Sequence, residues 1–228
     1  TELGANLWVY EPNHTSAQRF TLHPISFSNN PKIHVQSTDY WGNYSYLKGY
    51  TMKESACGVF ALVNALEYVT GHNFSDEEIR SIAQFAIDNG YRTAGNGTSK
   101  ELAVGFANHY GEVYGFKMGS TYKYNSKTSV NRSTIEAFNK VLDQGGAIYL
   151  SVTSSSGGHI VSIVGKRYNN GRNEYLLVDS YPSSNRLGSG VSSGYVTIDD
   201  QLDLYSIGND KKIVTKGSLG YYTILPLR

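Results

Sequence analysis

The chain has 228 residues, with 20 Lys and Arg against 19 Asp and Glu, a formal net charge of +1. That balance argues against nucleic acid or an anionic membrane surface as the main partner, and no apolar run approaches the roughly 20 residues of a transmembrane helix. The length suits one domain, or one domain with a short appendage, burying about 70% of its extended surface. The single cysteine excludes an intrachain disulfide. The loops are rich in Tyr, Gly, Asn and Ser, a composition common in extracellular bacterial proteins. The opening "TELGANLWVY" has neither an initiator Met nor the basic and apolar regions of a signal peptide. The expectation is therefore the interior of a longer protein, extracellular or on a cell surface.

Residues 1–24 hold two short β-like runs, 7–10 and 19–22, joined by the turn-rich "EPNHTS". With Trp8, Asn13 and Gln18-Arg19-Phe20, this stretch resembles the end of a ricin-type β-trefoil lectin repeat. The resemblance implies an upstream carbohydrate-binding domain of which this is the last hairpin. An ordinary N-terminal hairpin packed on the main domain fits the same residues. The expected division is an appendage over 1–24 and a main domain over 25–228, with 25–50 as a polar, aromatic connector.

Helices follow. The run from Cys57 to about Val69 has Phe60, Leu62, Val63, Leu66 and Val69 at helical spacing. Ser75-Asp76-Glu77-Glu78 reads as a capping box opening a helix to about Asp88. Thr98 to Glu101 repeats that pattern before "KELAVGFANHYG", and Ser133 to Glu136 repeats it before "AFNKVLDQGG". The period then changes from 3.6 to 2. Residues 147–154, 159–168, 173–181, 194–200 and 220–227 read as strands, the second and third joined by the hairpin signal "NNGR". Helices first and antiparallel strands afterwards indicate an α+β fold with segregated layers.

Cys57 stands at the start of a helix, where about half a positive charge favours the thiolate. A nucleophile needs a base. Of the six histidines, His14, His23, His34, His72 and His109 are expected at the surface. His159 differs, because Gly157-Gly158 clear space before it and an apolar strand follows. Asp179, in "YLLVDSYP", ends the next strand, where it is either a turn-former or the partner of that imidazole.

The order of helix-borne "CGxxAL", strand-borne "GGHxVxxVG" and then "LVDSYP" resembles the papain-like cysteine peptidases of the double-glycine leader peptidase-like family (peptidase family C thirty-nine). The resemblance runs from about residue 50 to the C-terminus. It implies a papain-like fold with helices packed on an antiparallel sheet. It also implies Cys57 as nucleophile, His159 as general base and acid, and Asp179 as the orienting carboxylate. The substrate class implied is a peptide or a cell-wall peptide. The family carries a Gln five or six residues before the Cys as an oxyanion donor, where this chain has Met52 and Thr51. The oxyanion candidates are then the Thr51 hydroxyl and the Cys57 backbone N–H. A catalytically degenerate binding module beside a carbohydrate-binding domain is the alternative. No cofactor is implied, since one Cys and no His pair at i, i+4 give no zinc helix and no glycine loop suits a nucleotide. The cleft walls are expected in the loops around 90–97, 117–131 and 183–193.

Overall fold

The computed structural model describes residues 31–95, 97–123, 132–154, 157–182, 187, 190–198, 205–207, 212–215 and 218–227. The lectin-like stretch over 1–24, with His14 and His23, lies outside them. Two four-residue helices, α1 (Asp39–Gly42) and α2 (Met52–Ser55), come first, where the sequence reads as connector. Next come α3 (Cys57–Thr70), α4 (Asp76–Asp88), α5 (Leu102–Tyr114), strand β1 (Phe116–Lys123) and α6 (Arg132–Asp143). Then follow β2 (Ala147–Ser154), β3 (Gly157–Asn169), β4 (Arg172–Val178), β5 (Ser193–Ile198), β6 (Tyr205–Ile207), β7 (Lys212–Thr215) and β8 (Ser218–Pro226). The strands form one sheet in the order β1-β8-β2-β3-β4-β5-β7-β6. Each pairing is antiparallel except β5 with β7.

The centre of the sheet is covered on both faces. Ala147 and Tyr149 of β2, with Ile160 and Val164 of β3, join the core around α3. Their neighbours Ile148, Leu150, Val161 and Ile163 join a second core with Phe138 and Val141 of α6. This two-sided burial explains why "AIYL" and "HIVSIV" read as continuous apolar runs. Helix α3 is buried at every residue from Cys57 to Glu67, because β2, β3 and β8 cover one side and α4 and α5 the other. Two polar ties fix it to the sheet: the Ser162 hydroxyl donates to the Ala61 carbonyl at 2.6 Å, and the Tyr149 hydroxyl donates to the Gly58 carbonyl at 3.2 Å.

Local chemistry accounts for most of the boundaries. Ser75 accepts from the Glu78 N–H, and Glu78 accepts from the Ser75 N–H, closing the capping box of α4. In the β3–β4 hairpin Asn170 and Gly171 both have positive φ, 49° and 81°, as a two-residue type I′ turn requires.

Four sequence expectations need correction. Thr98 does not cap α5, which begins at Leu102, because its hydroxyl is drawn to the Tyr46 hydroxyl at 3.0 Å and the Ser55 carbonyl at 3.3 Å. Ser133 lies inside the first turn of α6, not before it. The stretch 117–123 is not a cleft loop but part of edge strand β1, paired with β8, so a strand precedes α6 and the helix-then-strand order is not strict. Among the described residues no helix is long and apolar enough to cross a membrane.

Candidate active site

Ala56, with φ −95° and ψ 23°, separates α2 from α3 and leaves Cys57 as the first residue of α3. The side chain sits at the sheet side of that helix mouth, 9% exposed. Burial raises the pKa of its thiol. The hydrogen bond and charge of His159 outweigh that effect, helped by the backbone N–H groups of Ile160 and Gly58, and the net shift is downward from the ordinary 9.0.

His159 belongs to β3, paired with Val152 of β2. Ser162 stands opposite Val178 in the β3–β4 ladder. Asp179, one residue further along, therefore reaches back to His159. His159 Nε2 lies 2.8 Å from Asp179 Oδ1, which leaves Nδ1 for the Cys57 sulfur. Asp179 is fully buried. Its N–H donates to the Ser192 carbonyl at 2.8 Å, and Oδ1 also accepts from the Tyr181 N–H at 3.0 Å. Burial pushes the pKa of His159 down. The hydrogen bond His159 donates to Asp179, and then the one it makes with Cys57, reverse this and raise it to about 9. A half-buried imidazolium between a carboxylate and a sulfur thus favours the thiolate on the far side.

Thr51, expected as an oxyanion donor, is used elsewhere. It caps α2, and its hydroxyl donates to Glu54 Oε2 at 2.9 Å beside its own N–H at 2.7 Å. It does not line the open cleft of ≈ 420 Å³ in which Cys57 and His159 sit. The Cys57 backbone N–H stays at the start of α3.

Two cleft residues have contacts that the sequence reading did not assign, Gln36 outright and Arg92 beyond its place in the 90–97 loop. Gln36, 2% exposed, donates from Nε2 to the Lys53 carbonyl at 3.0 Å and accepts from the Ser180 hydroxyl at 2.9 Å. Its N–H donates to the Ser180 carbonyl at 2.8 Å. It therefore joins the turn after Asp179 to the helix before Cys57. Arg92 is the second. Of the expected walls, the 90–97 loop contributes Arg92, Gly95 and Gly97.

The remaining described histidines stay away from this cleft, and two are not at the surface. His34 is 4% exposed with Nε2 2.9 Å from Glu67, and His72 is 7% exposed with Nε2 2.7 Å from Glu78. His109 Nδ1 donates to the Gly105 carbonyl at 2.9 Å. Among the described residues no group of three or more His, Cys, Asp or Glu could hold a metal ion.

Comparisons with known proteins add the family. A search of curated proteins gives no match. Among solved structures, the peptidase domain of Streptococcus ComA, described as a bifunctional ABC transporter involved in a quorum-sensing pathway, is 16% identical. The match covers 74% of this chain and 90% of that one, with a TM-score of 0.37. The model of the Peptidase_C39 like family matches residues 32–190, a span that holds Cys57, His159 and Asp179. The chain belongs to the Peptidase_C39 like family, and its function is of the cysteine peptidase type.

Proposed function

We propose that the chain is a cysteine peptidase or amidase that cleaves peptide bonds through Cys57, His159 and Asp179. The observation that carries the reading is the His159 ring, held to Asp179 at 2.8 Å and lining the same cleft as Cys57, with each of the two groups shifting the other's titration. The Cys57 thiolate attacks the carbonyl carbon of the scissile bond, and the carbonyl π electrons move to oxygen. The Cys57 backbone N–H at the mouth of α3 faces that oxyanion, with the helix dipole behind it. Collapse expels the amine, which takes the proton from His159 Nδ1. A water then gives its proton back to His159, attacks the thioester and frees the acid and the thiolate. Asp179 keeps Nε2–H in place and so presents Nδ1 to sulfur throughout.

Iodoacetamide labelling tests the reading. Cys57 is expected to alkylate well above the rate of a free thiol near pH 7, and His159→Ala is expected to lose that advantage. Labelling no faster than a free thiol would count against catalysis. It would favour a peptidase-like binding module, the reading supported by the engagement of Thr51 with Glu54.

A further inference from the structure

Arg92 is a buried cation on the wall of the cleft, 2% exposed. Its guanidinium lies near the faces of Tyr46 and Tyr50, 5.0 and 5.3 Å from the ring centroids. Nε donates to the Tyr46 carbonyl at 2.9 Å, Nη1 to the Thr93 carbonyl at 3.0 Å and Nη2 to the Ser55 hydroxyl at 3.1 Å. These use three of the five N–H donors a guanidinium carries. No carboxylate among the described residues pairs with it. A buried charge is costly unless it is paired, and carbonyls and ring faces neutralise only part of this one. On the same wall, a Cβ placed on Gly95 or Gly97 would meet nothing within 4 Å, so these two positions leave the cleft room at that wall. Ser55, which shares Nη2, stands two residues before Cys57 and puts the cation beside the nucleophile's own turn. Glu54, the carboxylate in the cleft lining, is exposed at the rim and holds its Oε2 on Thr51.

We propose that Arg92 anchors a subsite for a substrate carboxylate close to the bond cleaved, carried by an acidic side chain or by a free C-terminus. The two N–H groups that have no acceptor among the described residues, on a rigidly held planar fork, suit a carboxylate and do not suit a neutral amide oxygen as well. The inference rests on the peptidase reading for what is cleaved, but not for what is bound.

Two series of fluorogenic peptides test it. In one, members differ only by Glu or Gln at each position flanking the scissile bond. In the other, they differ only by a free or amidated C-terminus. The carboxylate member is expected to have a kcat/KM about tenfold or more higher at one position. Arg92→Gln is expected to bring that ratio close to one, and Arg92→Lys to keep part of it. A response in the first series assigns the carboxylate to a side chain, and a response in the second assigns it to the chain terminus. Equal rates of measurable cleavage in both series overturn the proposal, as does a ratio that survives Arg92→Gln. Should Arg92→Gln fail to fold, the same peptides are titrated onto Cys57→Ala, with the Arg92 Nε–H resonance as readout. A shift with the acidic member alone supports the subsite, and a shift with neither or with both equally overturns it. That titration also separates the two ideas. A wild type that cleaves nothing, while its Cys57→Ala form binds acidic peptides through Arg92, sinks the peptidase reading and keeps the subsite.

Discussion

His159 has two partners on one ring, and the sign of its titration follows from them. Burial opposes the imidazolium, but Asp179 and Cys57 favour it more strongly, and the pKa rises from 6.5 to about 9. A group raised in the folded state contributes stability that is fully present below its unfolded pKa and is lost as pH rises through the folded one. This contribution is thus complete below about 6.5 and fades through pH 9. The Cys57 pKa moves the other way, below 9.0. The two shifts together favour the thiolate–imidazolium pair. The rate of Cys57 alkylation is expected to rise at lower pH than that of an ordinary thiol, and kcat/KM should fall as pH rises past 9. An alkylation profile that rises only in the ordinary thiol range would refute the ion pair. The positions of Cys57, His159 and Asp179 in the fold were legible in the sequence because each marks a visible boundary: a helix start, a strand start after Gly-Gly, and a strand end. Gln36 was not, and Arg92 was so only as part of the 90–97 loop. Gln36 meets Ser180 across 144 residues and Arg92 meets Tyr46 across 46, and no local pattern encodes such returns.

At the scale of elements, α3 and its neighbours decide where the thiol points. Gly58 is needed less for substrate approach than for packing: a Cβ there would lie 2.7 Å from Thr98 Cβ and from the Tyr149 hydroxyl. Both neighbours are constrained, Tyr149 by its bond to the Gly58 carbonyl and Thr98 by its bonds to Tyr46 and Ser55. Gly58→Ala is expected to destabilise the fold by about 1–3 kcal/mol, read from the shift of the urea midpoint. An unchanged midpoint would show that the contact relaxes freely. The capping box of α4 and the hairpin turn were readable because their chemistry is local. The start of α5 was misread because tertiary partners took the Thr98 hydroxyl. β1 was missed because "FKMGSTYK" has no clean alternation, and its pairing with β8 supplies what the pattern lacks.

For the whole molecule, Gln36 links two halves of the site that differ in architecture. It fastens the turn carrying Asp179 and Ser180, at the end of β4, to the carbonyl of Lys53 in α2. Gln36→Ala is expected to lower kcat about tenfold or more by loosening the turn that presents Asp179, while leaving Cys57 alkylation responsive to His159→Ala. A variant as active as the parent would mean that β3 and β4 alone hold the geometry. The α+β layering was readable from the change of period, but the strand order was not, since the sequence places β8 after the other strands and the sheet places it between β1 and β2.

That late strand, inserted between β1 and β2, gives the sheet an order of assembly in time. A chain emerging at roughly 5–20 residues per second delivers Cys57 on the order of ten seconds before residues 218–226. Until then β2, the strand beside the one that bears His159, has an open edge. The nascent polypeptide is thus expected to leave one edge of β2 without a partner until β8 is made and closes the sheet on that side.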